Sequence, residues 1–314
     1  MAYSSGGLIA ATDYNNFING SNQLNTVWST GTGDAGYGQT AITTVSASGT
    51  VTAAQWATLI NTLNITLNHQ SAAGSGISAT TAGSVITYLS ALSTGINTAY
   101  TNRLLFATQG STTTGTNLTT AWTNASTAST LSGTWGARCA FASADAARYF
   151  FNCGGKLKFN FSASGSNGSG RSNEVVALAG FMGGVATFGQ RTNGGRTGTG
   201  GTLNTNNTAL GYWNVTKATN TTIVSVTSTT AAYTSDTGSI YVNLNGTAGS
   251  YGDNGYNIDF YGTLSSTSGT NGPGGTYTFD DSLGVTINRS IDVIYPETAT
   301  GITNTWGTPT ISAL

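Results

Sequence analysis

The apolar residues of this chain change their spacing part-way along it, and that change limits what it can fold into. Up to about residue 106 they recur every third or fourth position, the period of a helix buried on one face. From Thr134 onward they recur every second position, the period of a half-buried strand. In the first stretch, Trp56, Ile60, Leu63 and Leu67 draw one apolar stripe, and Leu89, Leu92, Ile96 and Ala99 draw another. Thr52 and Gln55 form a capping box ahead of the first stripe. Asp13 is placed to cap an earlier segment holding Tyr14, Phe17, Leu24 and Trp28, weakened in its middle by Gly20 and ended by the Gly-rich turn Gly31 to Gly38. Each stripe covers about two heptads, short of the ~3–4 that a coiled coil needs. Helices of this length must pack on one another or on sister chains.

In the second stretch, Trp135, Ala137, Cys139 and Phe141 fall on one strand face. Ser143 then caps a short helix through Ala146, Tyr149 and Phe150, which Gly154 and Gly155 stop. Leu157, Phe159 and Phe161 alternate with Lys156, Lys158 and Asn160, and Glu174 to Phe181 reads as another short helix. Ile240, Val242 and Leu244 alternate with Tyr241, Asn243 and Asn245; Tyr256, Ile258 and Phe260 repeat the pattern, as do Val285, Ile287, Ile291 and Val293. Gly-Asn-Ser-Thr loops between them supply the turns of antiparallel strands. The expected class is α+β: short N-terminal helices followed by a strand-rich, mainly antiparallel β-domain with a few short helices. Residues 107–133, rich in Thr and Ser with Trp122 as their one aromatic, read as a linker or arm. The expected division is therefore a helical attachment or oligomerisation region over 1–106, the arm over 107–133 and a β-rich domain over 134–314.

Composition narrows the chemistry. Ten Lys and Arg and eleven Asp and Glu give a net charge of −1, and only 7% of side chains are charged, against roughly 25% in ordinary soluble domains. A nucleic-acid binder gathers Lys and Arg against phosphate; here the only close group is Arg148, Lys156 and Lys158, so no nucleic-acid partner is expected. No apolar run reaches the ~20 residues that span a bilayer, so no membrane insertion is expected. The opening Met1 to Gly6 lacks a basic region before an apolar stretch and does not read as a secretory signal. A surface kept soluble by hydroxyls and amides, with net charge near zero, suits a chain that lives within an assembly.

The chemical motifs are sparse. Gly31, Gly33 and Gly36 match the spacing of a dinucleotide fingerprint, but a helix leads in and a Thr-rich segment leads out, where the fingerprint needs a strand and then a helix. The single histidine, His69, has no nucleophile elbow to serve and reads as a surface or interface side chain near a helix end. Cys139 and Cys153 are compatible with a disulfide, with separate buried thiols or with interchain contacts; free thiols are the default, and two cysteines cannot build a structural zinc site. Asp280 and Asp281 follow a strand as a turn would, and Asp253 and Asp259 flank a loop and not a calcium cage. Asn64-Ile65-Thr66 and Asn214-Val215-Thr216 match glycan acceptor triplets as a by-product of composition. No catalytic, cofactor-binding or metal-ligating residue is assigned, no cofactor is expected, and the chain is read as a non-enzyme.

Two stretches carry a resemblance. Asp13 to Phe17, continuing through Trp28 to Gly31-Thr32-Gly33-Asp34-Ala35-Gly36-Tyr37-Gly38-Gln39, resembles the opening of structural proteins of tailed bacteriophages, where a "DYN" helix leads into a "GTGDxGYGQ" turn. Ala146-Ala147-Arg148-Tyr149-Phe150-Phe151-Asn152-Cys153-Gly154-Gly155-Lys156-Leu157 resembles the "ARYFFNAGGxIR" segment of the same proteins, with Cys153 where Ala or Ser is more usual. The two matches cover about a tenth of the chain, in the family's order. The resemblance implies a non-enzymatic virion component of tail, baseplate or tail-fibre type, assembled in the bacterial host cytoplasm. It would act through subunit contacts as a homo-oligomer (trimer or hexamer) with other virion proteins. The alternatives are a fibre module that binds a host surface glycan, a capsid decoration protein and, in a different class, a depolymerase built on paired carboxylates.

Overall fold

A computed structural model describes residues 10–70, 74–79, 81, 86–106, 109–125, 130–215, 220–245, 255–267, 269–270, 278–279 and 282–314. The expected class holds: the chain is α+β and strand-rich, with antiparallel sheets. Two compact units divide it, and neither is continuous in sequence. One comprises Met1–Ser111, Arg148–Gly154 and Pro296–Trp306; the other comprises Thr112–Ala147, Gly155–Tyr295 and Gly307–Leu314. This division differs from the sequential one read from composition, because residues far apart in the chain supply each other's hydrogen bonds.

The first unit carries helices α1 (Ala11–Ile18), α2 (Leu24–Trp28), α3 (Ala53–His69) and α4 (Leu89–Thr101). The single N-terminal segment expected from Tyr14, Phe17, Leu24 and Trp28 is two helices, because Gly20 (φ +135°) and Asn22 (φ +70°) turn the chain between them. Asp13 lies within the first turn of α1, where its carboxylate accepts from the Ala10 amide at 3.0 Å. The capping box on α3 forms as expected: Thr52 N–H donates to Gln55 Oε1 at 2.8 Å, and Gln55 N–H to Thr52 Oγ1 at 3.3 Å. Trp56, Leu59, Ile60, Leu63 and Leu67 are buried, each stabilising the unit by roughly 1.5–3 kcal/mol. They pack against α2 and α4 of the same chain, and Tyr14 meets Trp56 edge-on at 5.3 Å. The helices lean on one another, so both stripes are covered without a sister chain.

Apart from Gln109–Ser111 of β1 and Pro296 of β12, which belong to the first unit, the second unit holds the strands β1 (Gln109–Thr113), β2 (Leu118–Asn124), β3 (Thr130–Ala140), β4 (Lys156–Ser164), β5 (Gly184–Phe188), β6 (Thr202–Asn206), β7 (Thr221–Thr227), β8 (Thr237–Leu244), β9 (Asn257–Thr267), β10 (Gly269–Thr270), β11 (Thr278–Phe279), β12 (Leu283–Pro296) and β13 (Thr310–Ala313). Helix α6 (Gly170–Met182) interrupts them, as does helix α5 (Ala144–Asn152), whose Arg148–Asn152 belong to the first unit. One sheet has the order β1-β12-β4-β5, with β2 also on β12; the other runs β13-β3-β9-β8-β7-β6. The stretch read as an arm therefore holds β1, β2 and the start of β3. Its Thr residues suit an edge position where one face meets water; Leu118 and Trp122 point the same way along β2, and Leu131 is buried on β3.

The inner faces of the two sheets form one core. Phe159 of β4 stacks on Phe260 of β9 at 5.3 Å, Phe188 of β5 meets Phe260 edge-on at 5.2 Å, and Trp122 lies 4.7 Å from Trp135. Gly262 of β9 leaves the room that the Phe161 ring fills: a Cβ there would lie 2.3 Å from the ring. Met182 of α6 fills the same kind of gap over Gly238, so α6 extends the layer opposite the second sheet. Arg289 stands among Val285, Ile287, Ile291 and Val293 on the inward row of β12. Its Nε donates to the Gly136 carbonyl at 2.7 Å and its Nη1 to Thr120 Oγ1 at 2.9 Å, linking the two sheets. Burial lowers its pKa, but the guanidinium stays charged and bonded to oxygen.

Candidate functional site

The two stretches that carry the resemblance meet in the first unit. Gly31, Gly33, Gly36 and Gly38 all have positive φ, and a Cβ at Gly31 or Gly36 would strike a backbone carbonyl at 2.4 or 2.2 Å. The resulting turn aims the carbonyls of Gly33, Ala35 and Gly36 at the Asn152 amide, whose two hydrogens serve all three at 3.0, 3.3 and 3.3 Å. Arg148 lies over the Tyr149 ring and donates to the same Ala35 carbonyl at 3.0 Å. A Cβ at Gly38 would lie 2.4 Å from the Tyr149 ring. This geometry also disposes of the dinucleotide fingerprint. A phosphate cradle presents N–H groups, whereas this loop presents carbonyls to an amide donor.

Around that clamp the unit is closed by buried polar side chains. Tyr37 donates its hydroxyl to the Arg103 carbonyl at 2.9 Å and accepts from Gln70 Nε2 at 2.8 Å. Gln39 Nε2 donates to the Thr303 carbonyl at 3.0 Å, and its Oε1 accepts from the Thr303 amide and hydroxyl at 3.0 and 2.6 Å. Asp34 pairs with Arg103 at 3.0 Å. Gly154 turns at φ +92° with its Cα face against the Phe106 ring.

His69 is not a surface side chain, as its position near a helix end suggested; it is 2% exposed, between the rings of Tyr37 and Phe106. Its Nε2 lies 3.0 Å from the Cys153 carbonyl and its Nδ1 3.2 Å from Thr300 Oγ1. A carbonyl only accepts, so Nε2 carries the proton and Nδ1 takes the Thr300 hydroxyl. Burial pushes the imidazole pKa down to about 4, and both nitrogens are committed to structure.

The remaining sequence candidates scatter. Cys139 and Cys153 are free and buried, with burial raising both thiols. Asn64 is spent on structure, accepting from the Ser75 amide and hydroxyl and donating to the Ile77 carbonyl. Asp253, Asp280, Asp281, Thr216 and Met1 to Gly6 lie outside the described residues. Lys156 and Lys158 stand on outward positions of β4, Lys158 opposite Asp292 on β12.

Two polar groupings had no counterpart in the sequence reading. The first is buried: Arg171 and Glu174 on α6 face Asp236, whose Oδ1 accepts from the Thr267 amide and hydroxyl at 2.7 and 2.9 Å. Burial raises the Glu174 carboxyl pKa and the neighbouring Asp236 charge adds to it, while the Ser228 and Thr230 hydroxyls beside it act the other way. The grouping ties α6 to the turn before β8.

The second lies on the outer face of the β3-β9-β8 sheet. Tyr261 of β9 pairs in register with Gly136 of β3 and Tyr241 of β8, so the three share one face. The tyrosine rings stack at 5.2 Å with 24° between their planes. A Cβ at Gly136 would lie 2.7 Å from Tyr261 Cδ1 and 2.8 Å from Leu314 Cβ, so the ring leans over the glycine. Next along the same face, Arg138 grips Asp259 through Nε and Nη2, both at 2.7 Å. Asn243 donates to Asn220 at 2.8 Å, and Tyr256 is 40% exposed at the edge of β9. Tyr256 therefore does not continue the buried row of Ile258 and Phe260.

No protein-family model, curated protein or solved structure matches the chain.

Proposed function

We propose that the chain is a non-enzymatic structural component of a tailed-phage virion, of tail, baseplate or tail-fibre type, acting through subunit contacts after assembly in the host cytoplasm. The observation that carries this reading is the clamp. Asn152 and Gly33 are 119 positions apart, yet the two stretches that resemble phage structural proteins complete one hydrogen-bonded feature. Two unrelated chance matches have no reason to complete each other. The charge-poor composition supports the same reading, because amide and hydroxyl surfaces suit permanent contacts between subunits better than long-lived solution monomers. The commitment of His69 to Cys153 and Thr300 removes the chain's one imidazole from acid–base work.

The helical stripes are already covered within one chain, so self-association would use outward sheet edges or loops. Light scattering on the full-length chain tests this. The expected solution mass is three or six times the 31.8 kDa of the monomer. A strict monomer across the accessible concentration range would overturn self-assembly as the mode of action.

A further inference from the structure

We propose that the Asn19–Gly20 link between α1 and α2 is a site of spontaneous deamidation in the folded chain, where Asn19 converts through a cyclic imide to isoaspartate and aspartate. The proposal goes beyond the structural role and does not depend on oligomeric state.

The reaction needs only the chain, hydroxide and water. The Gly20 nitrogen gives its proton to hydroxide and attacks Asn19 Cγ. A C–N bond forms, the Cγ–Nδ2 bond breaks, and the side-chain nitrogen takes up a proton and leaves as ammonia. Water then opens the imide at one of its two carbonyls. One opening gives aspartate; the other gives isoaspartate, whose main chain runs through Cγ and is one carbon longer. The rate follows how freely the nitrogen reaches the carbon, and a following glycine places no Cβ in the way.

Three Asn-Gly pairs stand among the described residues: Asn19–Gly20, Asn167–Gly168 and Asn193–Gly194. The fold engages the attacking nitrogen and the leaving amide in two of them. The Gly194 amide donates to the Ala186 carbonyl at 2.7 Å. Asn193 is 8% exposed, and its Nδ2 donates to the Asn207 and Leu210 carbonyls at 2.7 and 2.8 Å. The Gly168 amide donates to Ser166 Oγ at 3.0 Å, and Asn167 Nδ2 to Ser282 Oγ at 2.9 Å.

Asn19–Gly20 differs at each point. Both residues are exposed. The Asn19 carboxamide makes one bond among the described residues: its Oδ1 accepts from Asn25 Nδ2 at 2.9 Å. That bond draws electron density from the carbon under attack and leaves Nδ2 free to depart. Asn19 is extended (φ −119°, ψ 140°) and Gly20 has φ +135°, so closure requires the peptide between them to turn about its two flanking bonds. Among the described residues neither the Asn19 carbonyl nor the Gly20 amide is hydrogen-bonded, so this turn breaks no hydrogen bond.

The test ages the full-length chain in mildly alkaline buffer, folded and in parallel in guanidinium chloride. Peptide mass mapping with isoaspartyl methyltransferase labelling follows each pair. In denaturant the three pairs convert at similar rates. In the folded chain, groups held by hydrogen bonds react only through local opening, so Asn167 and Asn193 should slow at least ~10-fold while Asn19 stays within ~3-fold of its denatured rate. Suppression of Asn19 as strong as that of the other two, or conversion at Asn167 or Asn193 matching it in the folded chain, would overturn the proposal.

Discussion

At the scale of single residues, the clearest consequence concerns His69. A histidine enclosed by Tyr37 and Phe106 and only 2% exposed has no water to solvate the charge of a second proton while the unit is folded. Its pKa is about 4 in the folded chain and near 6.5 once exposed. The unfolded state therefore takes up the proton first as pH falls. Stability is whole above pH 6.5 and declines through the interval down to about 4, by roughly 2 to 3 kcal/mol between pH 7.5 and 4.5. Urea midpoints at those two values measure the decline, and His69→Gln should remove that part of it. An identical pH slope in parent and variant would show that other groups control acid unfolding. The sequence put His69 correctly at a helix end but could not show that Cys153 and Thr300, 84 and 231 positions away, would enclose it. Tyr241 and Tyr261 were hidden in the same way. Alternation alone placed Tyr241 outward, but its neighbour is set by strand register.

Among elements, those specified by neighbours in the chain were legible. The α3 stripe and its Thr52–Gln55 box, the Ser143-capped α5 and the β4 alternation need only local periods and caps, and each folds where those signals stand. Elements defined by distant partners were not. β1 and β2 look like polar filler until β12 is laid beside them, and Arg289 breaks an apolar row only because the Gly136 carbonyl waits across the sandwich and the Thr120 hydroxyl stands on the neighbouring β2. The clamp belongs to this second kind, and its strength is measurable. Asn152→Ala would leave the Gly33 and Gly36 carbonyls without their donor and the Ala35 carbonyl with Arg148 alone, at a cost of about 2–3 kcal/mol. A urea titration reads it directly. A loss below about 0.5 kcal/mol would mean that water replaces the amide and that the turn holds itself.

For the whole molecule, the discontinuous units set what can be cut. A fragment spanning 134–314 follows the compositional boundary, yet it lacks β2, which pairs with β12 from Leu118 to Asn124, and with it Trp122 against Trp135. It also carries Arg148–Gly154 and Pro296–Trp306 without the helices that receive them. Such a fragment should be poorly soluble and lose its near-ultraviolet circular dichroism without a cooperative transition. A sharp transition in the fragment would mean that its sandwich tolerates an open β12 edge.

The bond between Gln39 and Thr303 spans 264 positions. On a ribosome adding about 5–20 residues per second, Gln39 emerges some ~13–50 s before Thr303 has been synthesised. Through that interval the amide group of Gln39 must be satisfied by water or held by a chaperone. The helical unit thus cannot make this bond until Thr303 has left the ribosome, and a ribosome stalled before that point would release a chain with the Gln39 amide still unpartnered by Thr303.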